Sequence, residues 1–227
     1  VQAGEIWERF PKFILGYAGT FVTTGSMTER RFAHTATLLP DGRVFVAGGE
    51  NYDDGIGDFS EAFGVELFSS ATSRFVFSHD AQALHAFHSA TLLGSGKVLV
   101  AGGYDQGYNA VPSALLFDIN SGDIQPTGDM TTGRYWHSAT LLSSGRVLIV
   151  GGCNRCSEQH LSSSEIYDPA TGTFATTGSM AQPRAAATAT LLPNGKVLIT
   201  GGESANNAPL SSAELYDPAT GSFQATG

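Results

Sequence analysis

Apolar residues in this chain gather in short runs rather than helical stripes. Val44-Phe45-Val46-Ala47, Val98-Leu99-Val100-Ala101, Val147-Leu148-Ile149-Val150 and Val197-Leu198-Ile199-Thr200 are four residues each, mostly β-branched and apolar at successive positions. That pattern predicts a strand buried on both faces, and each run is read as the inner strand of a small sheet. Ahead of each run stands a segment of small residues: His34-Thr35-Ala36-Thr37-Leu38-Leu39, His88-Ser89-Ala90-Thr91-Leu92-Leu93, His137-Ser138-Ala139-Thr140-Leu141-Leu142 and Ala187-Thr188-Ala189-Thr190-Leu191-Leu192. After each run comes Gly-Gly. A third segment, as in Glu165-Ile166-Tyr167 and Glu214-Leu215-Tyr216, enters Asp168-Pro169-Ala170-Thr171-Gly172 or Asp217-Pro218-Ala219-Thr220-Gly221. Aspartate bonds the following amides, proline presets φ and glycine accepts a positive φ, so a tight hairpin follows. The fourth strand then starts at Phe174 or Phe223.

These segments recur as a unit. The second glycine of each pair, at Gly49, Gly103, Gly152 and Gly202, returns every 49 to 54 residues. A period near fifty with four strand-sized segments predicts an all-β fold built of β-propeller blades. Residues 31–80, 81–130, 131–180 and 181–227 each supply four strands. Residues 1–30 supply a partial blade, with Tyr17–Met27 reading as the end of an earlier one. The domain 1–227 is thus either a fragment of a longer propeller or a small ring closed by Val1–Thr20, with Glu5-Ile6-Trp7 and Phe13-Ile14-Leu15 as irregular strands. An open array would present blade ends able to self-associate.

The residues also resemble a known family. Arg-x-x-His-Ser-Ala, a hydrophobic run with Gly-Gly, Glu-x-Tyr-Asp-Pro, Gly-x-Phe and Thr-Gly-x-Met together look like the kelch motif, in the bacterial form labelled galactose-oxidase-like central domain. The resemblance covers about residues 21–227. It departs at Phe68-Ser69, where Tyr-Asp is expected, at Leu115, where Glu is expected, and at Ala187, where His is expected. Copper oxidases on such propellers need two Tyr, two His and a Cys-Tyr crosslink from non-equivalent positions, a set this chain does not reproduce. The resemblance therefore implies a module without catalysis or cofactor. An enzyme of galactose-oxidase or mutarotase type, with its catalytic residues outside this chain, is the alternative, and a structural element of an extracellular assembly is a second one.

Composition narrows the partners. The formal net charge is −9 and no apolar stretch is long enough for a membrane helix, which argues against a nucleic-acid binder and against membrane insertion. Val1–Thr20 lacks the continuous apolar core of a signal peptide. An extracellular or periplasmic location is the expectation, with Cys153 and Cys156 as a local disulfide there or as two thiols in a cytosolic chain.

Length variation singles out one loop per unit. From the second glycine to the Glu position the chain takes 17, 12, 13 and 12 residues, whereas from there to the next Ser or Thr before Ala it always takes 23. The variable loops Glu50–Phe63, Tyr104–Pro112, Cys153–Ser162 and Glu203–Ser211 are expected on one face. Loops varying on a rigid scaffold are where binding sites sit, with neutral drift as the bland alternative. Candidate contacts to a protein segment or glycan are Tyr52, Tyr104, Tyr108, Asn154 and Asn206.

Four further sets bear on chemistry. His34, His88 and His137 occupy one repeated slot, so a structural role at the blade interface outweighs metal ligation. Cys153, Cys156 and His160 have ligand-like spacing, one ligand short of a closed zinc site. Asp53, Asp54, Asp58 and Glu61 are candidate oxygen ligands for loosely held calcium, against an ordinary acidic turn. Arg31, Arg134 and Arg184, with His85 at the same place in the second unit, stand three residues before the histidine slot. The family resemblance implies a channel mouth lined by these arginines that captures acidic segments; the alternative is an arginine stacked on Phe32 or Tyr135 as a rim strut.

Overall fold

The computed structural model describes residues 22–53, 58–62, 64–80, 84–155 and 159–226, so Val1–Thr20 lies outside the described residues. Strands alone, with no helix, occur among them. Blade one joins β1 (Thr35–Leu38), β2 (Arg43–Ala47), β5 (Gly64–Ser69) and β6 (Arg74–Asp80), with β3 (Glu50–Asp53) and β4 (Asp58–Glu61) as a separate hairpin. Blade two joins β7 (Ser89–Leu92), β8 (Lys97–Ala101), β9 (Ala114–Asp118) and β10 (Ile124–Pro126). Blade three comprises β11 (Ser138–Leu141), β12 (Val147–Val150), β13 (Ser164–Asp168) and β14 (Thr173–Thr176). Blade four comprises β15 (Thr188–Leu191), β16 (Val197–Thr200), β17 (Ala213–Asp217) and β18 (Ser222–Ala225). Each is an antiparallel meander in chain order, joined by tight hairpins.

One expectation is corrected here. The valine-rich runs are the second strand of each blade, not the innermost. Contact from blade to blade runs through β1, β7, β11 and β15, the Thr/Ser-Ala-Thr-Leu strands. Their small side chains let backbones approach where blades converge. The bulkier valine, leucine and isoleucine side chains fill the gap where blades splay apart.

The core is therefore a series of wedges between blades. Leu39, Phe45 and Ala47 of blade one pack on Val98, Val100 and Phe117 of blade two. Leu99 and Ala101 meet Val147, Ile149 and Tyr167, and Leu148 and Val150 meet Val197, Ile199 and Tyr216. Polar pins join the same seams. Thr127 Oγ1 lies 2.9 Å from Tyr167 Oη, and Thr177 Oγ1 lies 2.9 Å from Tyr216 Oη. The Gly128 amide donates to the Gly172 carbonyl and the Gly178 amide to the Gly221 carbonyl, both at 2.9 Å. The Gly25 amide donates likewise to Ser73 O at 2.8 Å, so the segment ahead of blade one holds the place that Thr-Gly-x-Met holds at later seams.

The histidine slot is part of this pinning. His88 Nε2 lies 2.7 Å from Thr35 Oγ1 of the preceding blade, and His137 Nε2 lies 2.8 Å from Ser89 Oγ. His88 Nδ1 faces the His85 carbonyl at 2.7 Å, so Nδ1 carries the proton and Nε2 accepts from the threonine hydroxyl. Ala187 has no imidazole to offer, and Ser138 Oγ donates to its carbonyl instead.

Candidate functional site

The connections between blades and the variable loops do share one face. Phe32 bridges to Glu50, Ala86 to Tyr104, Tyr135 to Cys153 and Ala185 to Glu203, so each inter-blade connection lies against its own blade's loop. Neighbouring loops touch as well, through a bridge between Asn109 and Arg155. Ala86, Tyr104, Tyr135, Cys153 and Ala185 form a buried cluster beneath this face.

At its centre the backbone makes a ladder around the propeller axis. The Phe87 amide donates to Ala33 O at 3.1 Å, Trp136 to Phe87 O at 3.2 Å, and Ala186 to Trp136 O at 2.8 Å. These four residues take the same place in successive blades, and all are left-handed, with φ of 53°, 56°, 54° and 52° for Ala33, Phe87, Trp136 and Ala186. Such a backbone costs an L-residue on the order of 1–2 kcal/mol. Alanine meets the framework's need in blades one and four. Phe87 and Trp136 thus add aromatic rings to a strained position that does not require them.

Those rings form one connected group. Phe87 and Trp136 meet edge to face at 5.2 Å and 86°, Tyr135 and Trp136 at 5.2 Å, Phe87 and Tyr104 at 5.4 Å, and Tyr104 and Tyr108 at 5.5 Å. Tyr104 and Tyr135 are buried, but Trp136 is 37% and Tyr108 47% exposed. Tyr108 is also left-handed, at φ 58°. It sits in a turn closed by its amide on Asp105 O at 2.8 Å and by Asp105 Oδ1 accepting the Gly107 and Asn109 amides at 2.9 Å. The result is an apolar corner, built from strained residues and open to solvent, at the channel mouth.

The three arginines are not there. Arg134 is fully buried in its own blade: Nη1 donates to Gly151 O at 2.8 Å and Ser163 O at 3.1 Å, and Nη2 donates to Glu165 Oε1 at 2.8 Å. Arg184 repeats this with Gly201 O, Ser212 O and Glu214 at 2.9, 3.0 and 2.9 Å. Arg31 does so with Gly48 O, Gly64 O and Glu66 at 2.9, 2.8 and 2.9 Å. The second carboxylate oxygen accepts the amide of Thr28, Thr131 or Ala181, at 2.7 Å each, in the preceding connection. Burial pushes the Arg134 guanidinium down from its ordinary range, and the Glu165 carboxylate opposes that shift. The expected arginine-lined mouth is thus corrected. The guanidinium groups are consumed by glutamates and carbonyls inside the blades rather than presented to an acidic segment. Blade two has lost both partners together, with half-buried His85 in place of arginine and buried Leu115 in place of glutamate.

The remaining sequence candidates scatter. Tyr52 and Asp53 lie on β3, Asp58 and Glu61 on β4, where Asp53 faces Asp58 and Glu50 faces Glu61 in register. Residues 50–53 and 58–61 of the calcium candidate thus pair as two strands. Asp54 falls outside the described residues, as does Cys156. Cys153 is fully buried and bridges across to buried His160, whose ring nitrogens have no hydrogen-bond partner among the described residues. No three histidine, cysteine or carboxylate side chains among the described residues come together as a metal set. Asn206 sits in an exposed turn, and Asn154 brings a buried Oδ1 that likewise lacks a partner. Phe87 and Trp136 escaped notice in the sequence. The signal available was that the residue just before the histidine slot is aromatic in two of the four repeats.

Comparison with known proteins fits this geometry. The kelch motif model matches residues 137–181, which run from the histidine slot of blade three through β14 to Ala181. No curated protein matches the chain. Among solved structures, one titled "Structure of YjhT" superposes with a TM-score of 0.68 at 12% identity, covering 86% of this chain and 68% of that one. At that identity the likeness is one of fold.

Proposed function

From the premise that this chain is a kelch-repeat β-propeller, we propose that it is a non-catalytic binding module that takes up a protein segment at the aromatic corner of its loop face. The observation that carries the reading is the Phe87–Trp136 pair in left-handed backbone, the tryptophan exposed and the phenylalanine half-buried, where blades one and four make do with alanine. Solvent-exposed rings held at a cost in strain are favourable anchors, because an aromatic side chain buries a large area while losing few torsions on binding. Tyr108 and the loop turns supply a polar rim.

A glycan is the second reading. It is favoured by Asn154 Oδ1, a buried acceptor with no hydrogen-bond partner among the described residues, which a hydroxyl could satisfy. Peptide and glycan arrays probed with the 227-residue chain separate the two. Phe87→Ala and Trp136→Ala should keep the fold, since Ala33 and Ala186 occupy the same backbone position, and should weaken capture at least tenfold. Undiminished capture by both variants, with either array, would reject this site.

A further inference from the structure

On the face opposite the variable loops, the hairpin between the first two strands of each blade ends in a cation. Arg43, Lys97, Arg146 and Lys196 open or directly precede β2, β8, β12 and β16. Three of the four are paired. Lys97 meets Asp118 at 3.6 Å and Lys196 meets Asp217 at 3.0 Å, each within its own blade. Arg43 is held by Asp41, two residues back, at 2.6 Å, and its Nη2 crosses the seam to donate to Ile119 O of blade two at 3.1 Å. Arg146 has Ser144 where Arg43 has Asp41. Its amide and Nε stand 3.5 Å from the serine hydroxyl, and it forms no ion pair among the described residues. Nor does it clamp onto Pro218, which in blade four holds the place of Ile119.

The seam left unclamped is open. Two cavities of about 460 and 430 Å³ flank Arg146 between blades three and four, and they share it with Leu142, Pro218 and Ala219 as a common wall. One extends past Thr171, Thr173 and Thr176 of blade three to Thr220 of blade four; the other extends past Ser143, Ser144 and Asn194. Hydroxyl and amide groups thus border a groove with a guanidinium at its middle. A guanidinium without its own carboxylate offers a fork of donors that matches a planar carboxylate. Asp168 and Asp217 also border the groove, and they disfavour a second negative charge on the same ligand.

We propose that this groove binds a saccharide carrying a single carboxylate, a uronic acid among neutral sugars, with the carboxylate on Arg146 and the ring hydroxyls on the threonine, serine and asparagine side chains. Each cavity has the size of a small-ligand site. An acidic peptide is the competing occupant, and the walls favour it less. Tyr216, the ring that borders the groove, is buried with its hydroxyl engaged by Thr177, so a peptide's apolar side chains find no exposed aromatic partner there. The groove and the aromatic corner lie at opposite ends of the blade strands, so either site can fail without the other.

Calorimetric titration of the 227-residue chain with a galactose trisaccharide ending in one galacturonate tests this, with the methyl ester of the same trisaccharide as the uncharged control. The acid should bind at least about tenfold more tightly than the ester, the effect of one charged hydrogen-bonded contact. Ser144→Asp copies Asp41 and gives the guanidinium a carboxylate of its own, while Arg146→Ala removes it. Both substitutions fall on exposed positions, so each should cost the acid its advantage at an unchanged melting temperature. The proposal is overturned by no binding of the acid at millimolar concentration, by equal binding of acid and ester, by undiminished binding in both variants, or by tighter binding of a peptide with one glutamate.

Discussion

Arg134 and Glu165 lie 2.8 Å apart with both side chains excluded from solvent, and between them they tie three pieces of blade three together. The arginine holds the carbonyl of Gly151 at the end of β12, while the glutamate on β13 holds the amide of Thr131 in the incoming connection. A buried pair of this kind contributes little over a well-packed apolar substitute, but leaving one member alone strands a buried charge.

Glu165→Ala should therefore destabilise the protein by about 3–5 kcal/mol in chemical denaturation. Blade two shows the way out, since His85 and Leu115 replace both members. The double variant Arg134→His with Glu165→Leu should cost clearly less than Glu165→Ala. A double variant at least as damaging as the single one would contradict the coupling.

The seam histidines make stability depend on pH. Burial, only partly offset by the hydrogen bond to the His85 carbonyl, lowers His88 to about 4; burial, then the positive charge of Arg134, lowers His137 to about 3. Both are neutral in the fold, while in the unfolded chain they protonate near 6.5. The unfolded state thus binds more protons between about pH 4 and 6.5, and stability falls as pH drops through that window, with an upper bound on the order of 3 kcal/mol from His88. Above pH 7 they add no slope. Asp41, held low chiefly by its hydrogen bond with Arg43, titrates below this window. His137→Ala, which copies Ala187 of blade four, should flatten the melting temperature between pH 4 and 6.5. An unchanged slope would contradict the assignment.

Ser73 stands at φ 53° in the outer hairpin of blade one, where Gly122, Gly172 and Gly221 serve the other blades. Ser73→Gly removes a Cβ from left-handed backbone and should stabilise by about 1 kcal/mol, read as a higher denaturation midpoint at constant slope.

Gly102→Ala and Gly151→Ala drive a Cβ to within 2.4 Å of a carbonyl oxygen, so each should lower stability by more than about 3 kcal/mol. Gly201→Ala should cost only the conformational strain, about 1–2 kcal/mol. Chemical denaturation measures the difference, and equal losses at all three sites would contradict it.

Whatever repeats in this chain can be read from its residues alone. Strand lengths, hairpin chemistry and the fifty-residue period are local properties of the chain, so the all-β blades were legible from residues such as Asp168-Pro169 and Val147–Val150 without any contact being known. The periodic placement of His88 and His137 likewise disclosed a framework role. Tertiary structure alone decided which repeated residues face solvent. Arg134 and Trp136 are two positions apart in one connection, yet the arginine turns inward because Glu165, thirty-one residues on, waits there to neutralise it. The tryptophan turns outward because the ladder around the axis forces its backbone into the left-handed region. Charge pairing and backbone strain both depend on partners brought near by folding, and no local pattern in the chain records them.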